Sequence, residues 1–221
     1  MEVVAAIGTV IVIAFLLWFT FGTGHNIKRG NELLRWLQGG LPRIGRRTTL
    51  RWFGSSAVQL NITDARPPYT SAQVNVVLEP RDLGWLWAWT RRRGRRDFLI
   101  LRGTLSGPPR FEIEAGGTRG WTGGDRLDRL DPEAWIRTTW VHSAGAVEVA
   151  HSSRAQDADI EKMRKIWDQL GGAAGDVWRL SVRNLAPHVE VHVEPPDVAA
   201  GADAAALIEA FRALGRLAVR D

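Results

Sequence analysis

The 221-residue chain contains no cysteine. That absence excludes disulfides, cysteine-ligated zinc, iron–sulfur clusters and thiol nucleophiles. Lysine is nearly missing too: three lysines stand beside twenty-six arginines in an Ala- and Gly-rich composition. We read this imbalance as a codon-composition bias. Nucleotide-binding and hydrolase signatures are absent: there is no G-x-x-x-x-G-K-[ST] loop, and Ser55, Ser56, Ser143 and Ser152 sit in no G-x-S-x-G elbow. No cofactor is implied.

A further absence is the most informative. From Val3 to Phe21 the chain reads VVAAIGTVIVIAFLLWFTF without one charged side chain. Nineteen helical residues span roughly 28 Å, close to the hydrocarbon thickness of a bilayer. Residues 1–22 are therefore expected to be a transmembrane anchor. A cleaved signal peptide fits less well, because there is no basic leading segment, the apolar stretch is long, and no A-x-A site closes it. Upstream stand only Met1 and Glu2, whereas Lys28, Arg29, Arg35, Arg43, Arg46, Arg47 and Arg51 follow. Basic residues beside a span favour the cytoplasmic side. The expected arrangement is a single-pass signal-anchor in the cell membrane, N-terminus outside and C-terminal domain cytoplasmic.

The basic excess is local. Residues 22–56 carry seven basic and one acidic side chain, residues 81–102 seven and two, and residues 103–221 fourteen and eighteen. Such a distribution fits anionic lipid headgroups better than a nucleic-acid face. In the juxtamembrane segment, residues 23–46, Leu33, Leu34, Trp36 and Leu37 gather on one side of NELLRWLQ before Gly39-Gly40 and Pro42 stop it. That apolar side suits either the headgroup region or the soluble domain.

Beyond residue 46 the pattern predicts an α+β fold, an antiparallel sheet with helices on one face. Nine strands are expected: 48–53, 57–63, 71–79, 97–105, 110–115, 136–141, 146–151, 177–183 and 188–194. Three helices are expected over 82–92, 157–170 and 203–219, the last with Asp203 as N-cap. Arg47-Thr48-Thr49 and Arg137-Thr138-Thr139 open segments that echo each other, each leading to a helix and then two strands. The echo raises a possible duplication into units 47–116 and 136–221, joined by a linker over 117–135, with a groove between them. Alternation at the C-terminal end places Trp178, Leu180 and Val182 with Val189, Val191 and Val193, if Arg183 pairs with His188.

Two groups of residues invite chemistry. His188, Glu190, His192 and Glu194 alternate along one strand as the nearest approach to a metal constellation. Arg179 and Arg183 face the same row, however, and the outer histidines lie about 13 Å apart. A solvated, salt-paired sheet face is the better reading, and His25, His142 and His151 show no ligand spacing. Asp125, Asp128, Asp131 and Glu133 have the wrong spacing for an EF-hand.

The second group is DLGWLWAWTRRRGRR, residues 82–96: Trp85, Trp87 and Trp89 followed by Arg91, Arg92, Arg93, Arg95 and Arg96. With Trp18, Trp36, Lys28, Arg29 and Arg35 these form a candidate membrane interface, tryptophans at the boundary and cations on phosphates. A nucleic-acid stacking site or a buried helix with cations at its C-terminal end would produce the same string. The function expected is a noncatalytic interaction or scaffold subunit of a membrane complex, with the bilayer and an unidentified membrane protein as partners. An enzyme using His142, His151 or the His188–Glu194 row in an inter-unit groove is the alternative, and a lipid or nucleic-acid module centred on the Trp/Arg segment is another.

Overall fold

The computed structural model of the chain describes residues 2–117, 127, 130–131, 133–142 and 145–219. Its first element, helix α1, runs unbroken from Glu2 to Gln38. No proline interrupts these 37 residues, and at 1.5 Å each they extend about 55 Å. Gly39-Gly40 and Pro42 end the helix, and Leu41–Arg43 form a single 3-10 turn. The apolar stretch 3–21 and the NELLRWLQ segment are thus one rod. The apolar side of its last turns faces the domain, not open solvent: Leu33, Leu34, Trp36 and Leu37 are buried, and the Trp36 indole donates to the Ala202 carbonyl at 2.9 Å. Trp36, named in the expected interface, is covered by protein at 8% exposure.

The remainder is α+β. Strands β1 (Gly45–Phe53), β2 (Ala57–Ala65) and β3 (Tyr69–Val77) precede helix α2 (Gly84–Arg92), β4 (Phe98–Leu105) and β5 (Ile113–Gly117). Then come β6 (Trp135–His142), β7 (Gly145–Ser152), α3 (Asp157–Ala173), β8 (Val177–Val182), β9 (Val189–Val193) and α4 (Ala204–Val219). All nine strands form one antiparallel sheet in the order β1-β2-β3-β4-β9-β8-β5-β7-β6. The β8–β9 hairpin lies between β4 and β5, so the segments linked by the internal echo differ in pairing: β8 and β9 are neighbours, β4 and β5 are not. The 117–135 linker falls largely outside the described residues, as do Asp125, Asp128 and Ser143.

One sheet face is apolar because alternate residues of each strand are. Val58, Leu60, Val74, Val76, Leu99, Leu101, Leu180, Val182, Val189 and Val191 belong to a single core with Leu33 and Leu37 of α1, Met163 and Leu170 of α3, and Phe211 and Leu214 of α4. The helices with stripes spaced three and four residues apart cover that face. Asp203 accepts from the Ala205 N–H at 2.8 Å, the N-terminal cap of α4. The Arg183–His188 pairing is present, with N–H to O at 2.8 Å. A bulge between Val177 and Arg179 departs from strict alternation. It places Trp178 beside Phe98, ring centroids 5.1 Å apart, and Val177 opposite Val193.

Candidate membrane-facing site

Along α1 the side chains from Glu2 to Phe21 are exposed, and burial starts at Gly22. The most apolar 18-residue window has a mean hydropathy of 2.6 and none of it is buried. Where exposure ends, the segment between β3 and β4 closes on the helix. Gly22 permits this, since a Cβ there would overlap the Arg81 carbonyl. The Trp18 indole donates to that carbonyl at 3.0 Å, and its ring lies 6.2 Å from Trp87. One turn beyond Gly22, buried Asn26 donates to the Glu79 carbonyl at 3.0 Å and accepts from Arg81 at 3.1 Å. A further turn on, Gly30 admits the Trp52 ring. Gly22, Asn26 and Gly30, spaced by four, make a narrow stripe on which the sheet end rests.

Charge completes the clamp. Arg81 makes two bonds to Asp97, at 2.9 and 3.1 Å, and Asp97 also accepts from the Glu79 backbone N–H at 2.8 Å. The Glu79 side chain is 1% exposed; Arg91 reaches it at 2.9 Å, and the Trp87 indole donates to it. Burying a carboxylate this deeply requires such partners. They bind α2 by its inner side.

Its outer side is free. Trp85 and Trp89, four residues apart, are 71% and 49% exposed, while Trp87 between them turns inward. Arg93 stacks over Trp89 at 4.0 Å, and Arg91, Arg92 and Arg93 are exposed. Arg96 donates to the carbonyls of Arg91 and Arg95 at 3.0 and 2.8 Å, capping the C-terminal end, and Gly94 at φ +86° turns the chain away. Arg95 reaches the Leu78 carbonyl at 3.5 Å. The fold thus gathers Trp18, Trp85, Trp87, Trp89, Arg91, Arg92, Arg93, Arg95 and Arg96 at one level of the molecule. Lys28 is exposed on α1 nearby, and Arg29 is turned toward Asp97 at 3.8 Å. Arg35 is exposed but lies two turns further along the helix.

The Glu190–His192 part of the row sits on the second face of the sheet, which is less solvated than the sequence suggests, whereas His142 lies on the helix-covered face against Trp167 and Asp168. Glu114, Arg179, Ser181 and His192 are buried there. Glu114 accepts from Arg179 and, at 2.8 Å, from Arg183; Glu190 accepts from Arg102 at 2.6 Å and Arg179 at 2.7 Å, with His192 at 2.9 Å. Large side chains on adjacent strands cover one another, which alternation alone does not reveal. Burial pushes the Glu190 carboxyl up, but hydrogen bonds from His192 and Arg102 outweigh it and hold it at about 2. A carboxyl so strongly ionised is a poor proton carrier near neutral pH. Glu194 is shifted the other way, upward, by burial and by nearby Asp176.

His188 Nδ1 accepts from the Leu105 N–H at 3.0 Å. His142 Nδ1 lies 2.8 Å from Asp168, and His151 Nδ1 3.1 Å from the Ser152 carbonyl. Among the described residues no three His, Asp or Glu side chains are grouped to hold a metal ion. A hollow of about 330 Å³ beside Arg179, Arg183 and Glu190 is lined by charges already paired.

Comparison with known protein families finds no matching family model, and no curated protein matches the chain.

Proposed function

We propose that the chain is a single-pass membrane protein whose helix α1 is an uncleaved anchor, with the sheet domain on the cytoplasmic side. There the domain serves as a noncatalytic interaction module seated on the membrane by α2. The observation that carries this reading is positional. Helix α2 abuts α1 at Trp18 through Gly84 and Trp87, and the loop just before it packs on Gly22, where the exposed apolar stretch gives way to the buried stripe. With residues 3–21 in hydrocarbon, Trp85 and Trp89 fall at the headgroup level and Arg92 and Arg93 at the phosphates. This placement supports an anionic-lipid contact over a nucleic-acid one. The interaction role draws support from both sheet edges, where β1 exposes Leu50 and Phe53 and β6 exposes Ile136 and Val141. Unpaired strands carrying apolar side chains are surfaces that protein partners extend.

The absence of cysteine makes the test direct. Single cysteines at Trp85 and at exposed Leu185, each labelled with a polarity-sensitive fluorophore, are compared in full-length protein in nanodiscs. The label at 85 is expected to be quenched by brominated lipid more strongly than that at 185, and more so with phosphatidylserine present. Equal quenching at both positions rejects the seating of α2. Release of the intact chain by alkaline carbonate rejects the anchor.

A further inference from the structure

At the end of the sheet away from α2, a groove of about 730 Å³ opens between α3, α4 and the β2–β3 turn. Ile166, Leu217, Val219, Ala213 and the Pro67-Pro68 turn supply apolar walls. On its rim stand Lys162 and Lys165, three residues apart on α3, with Arg216 of α4 opposite. No carboxylate lines it among the described residues. Arg216 is held by Glu209 at 2.7 Å, but neither lysine has an acidic partner among the described residues. Two of the three lysines in a chain with twenty-six arginines therefore meet at one hollow.

We propose that this groove binds a small amphipathic anion, an acyl chain with a carboxylate or phosphate head. Its volume is that of a small-molecule site, and an apolar trough with a few convergent polar groups is how such sites are built. The ammonium groups are compact charges on flexible stems, able to meet a head group that leaves the trough. Their unneutralised charge selects anion over cation, and the apolar walls select a chain over a bare inorganic ion. The Pro67-Pro68 turn is joined to the start of β1 through the Arg66 N–H and Ile44 carbonyl at 2.7 Å. Strand β3, about 27 Å long, separates it from the α2 end. The ligand therefore enters from the aqueous phase.

The test uses the full chain in phosphatidylcholine nanodiscs and a diazirine-bearing decanoic acid as photolabel. Crosslinks are expected on the peptides holding Ile166 and Leu217. Excess decanoate or decyl phosphate should suppress them at least tenfold while decanol does not, and the more effective of the two identifies the head group. Lys162→Glu/Lys165→Glu, at two exposed positions, should reduce labelling at least tenfold, as should Ala213→Phe, which fills the trough; Lys28→Glu should not. Equal competition by decanol, undiminished labelling of the lysine double variant, or labelling confined to other peptides overturns the proposal.

Discussion

Glu79 and Glu114 are each 1% exposed and each held by two arginines, yet they do different work. The partners of Glu114, Arg179 and Arg183, come from the strand next to it and its end, so the cluster ties neighbours already joined by backbone hydrogen bonds. Those of Glu79 come from α2 and from the loop that grips Asn26, so the cluster ties a surface helix and the sheet end to α1. The same buried ion chemistry closes a sheet in one place and positions an element in the other.

The largest expected effects break that comparison. Glu114→Ala deprives buried Arg179 of a carboxylate and should cost about 3–5 kcal/mol in denaturant unfolding. Glu79→Ala, whose partner Arg91 is 46% exposed and whose partner Arg81 keeps Asp97, should cost about 1–3 kcal/mol. Only Glu79→Ala should accelerate amide exchange in residues 84–92; equal acceleration by Glu114→Ala would erase the distinction. Gly22→Leu drives a side chain into the Arg81 backbone and should cost about 1–3 kcal/mol. Its exchange increase should be confined to residues 79–97, leaving β8 and β9 protected.

A finer effect concerns pH. Because the folded-state pKa of Glu190 lies at about 2, below its ordinary 4.5, its contribution is complete at neutral pH and is lost as pH falls through that interval. Glu190→Gln should lower stability at pH 7 and flatten the acid decline in a thermal melt series; an unchanged acid limb would deny its part in the network. Glu194, shifted upward, acts in the opposite sense and is relieved by protonation. The smallest stability effect belongs to Trp85→Ala, within about 0.5 kcal/mol because the indole is exposed. Its loss should show in bromolipid quenching of a neighbouring label, not in melting.

Much of this was legible along the chain. Alternation located nine strands, spacing located α3 and α4, and Asp203 marked a cap that the structure contains. Two things were not. Trp178 reads as one more inward residue, but a bulge moves it onto the other face. The His188–Glu194 row reads as solvated, whereas Arg102, remote in sequence, arrives on the flanking strand to bind Glu190, and His192 is buried. Gly22 and Asn26 carried a signal that went unread: a small residue and an amide four apart just past an apolar run mark a close approach.

Local order alone decides that an uncharged helical stretch of about 28 Å precedes an α+β sheet, because hydrophobic periodicity acts within a few residues. Tertiary structure alone decides that α2 abuts Trp18, that β9 and β8 part β4 from β5, and that two lysines share a groove. Those outcomes depend on contacts between residues far apart in the chain, where burial and charge pairing act across space.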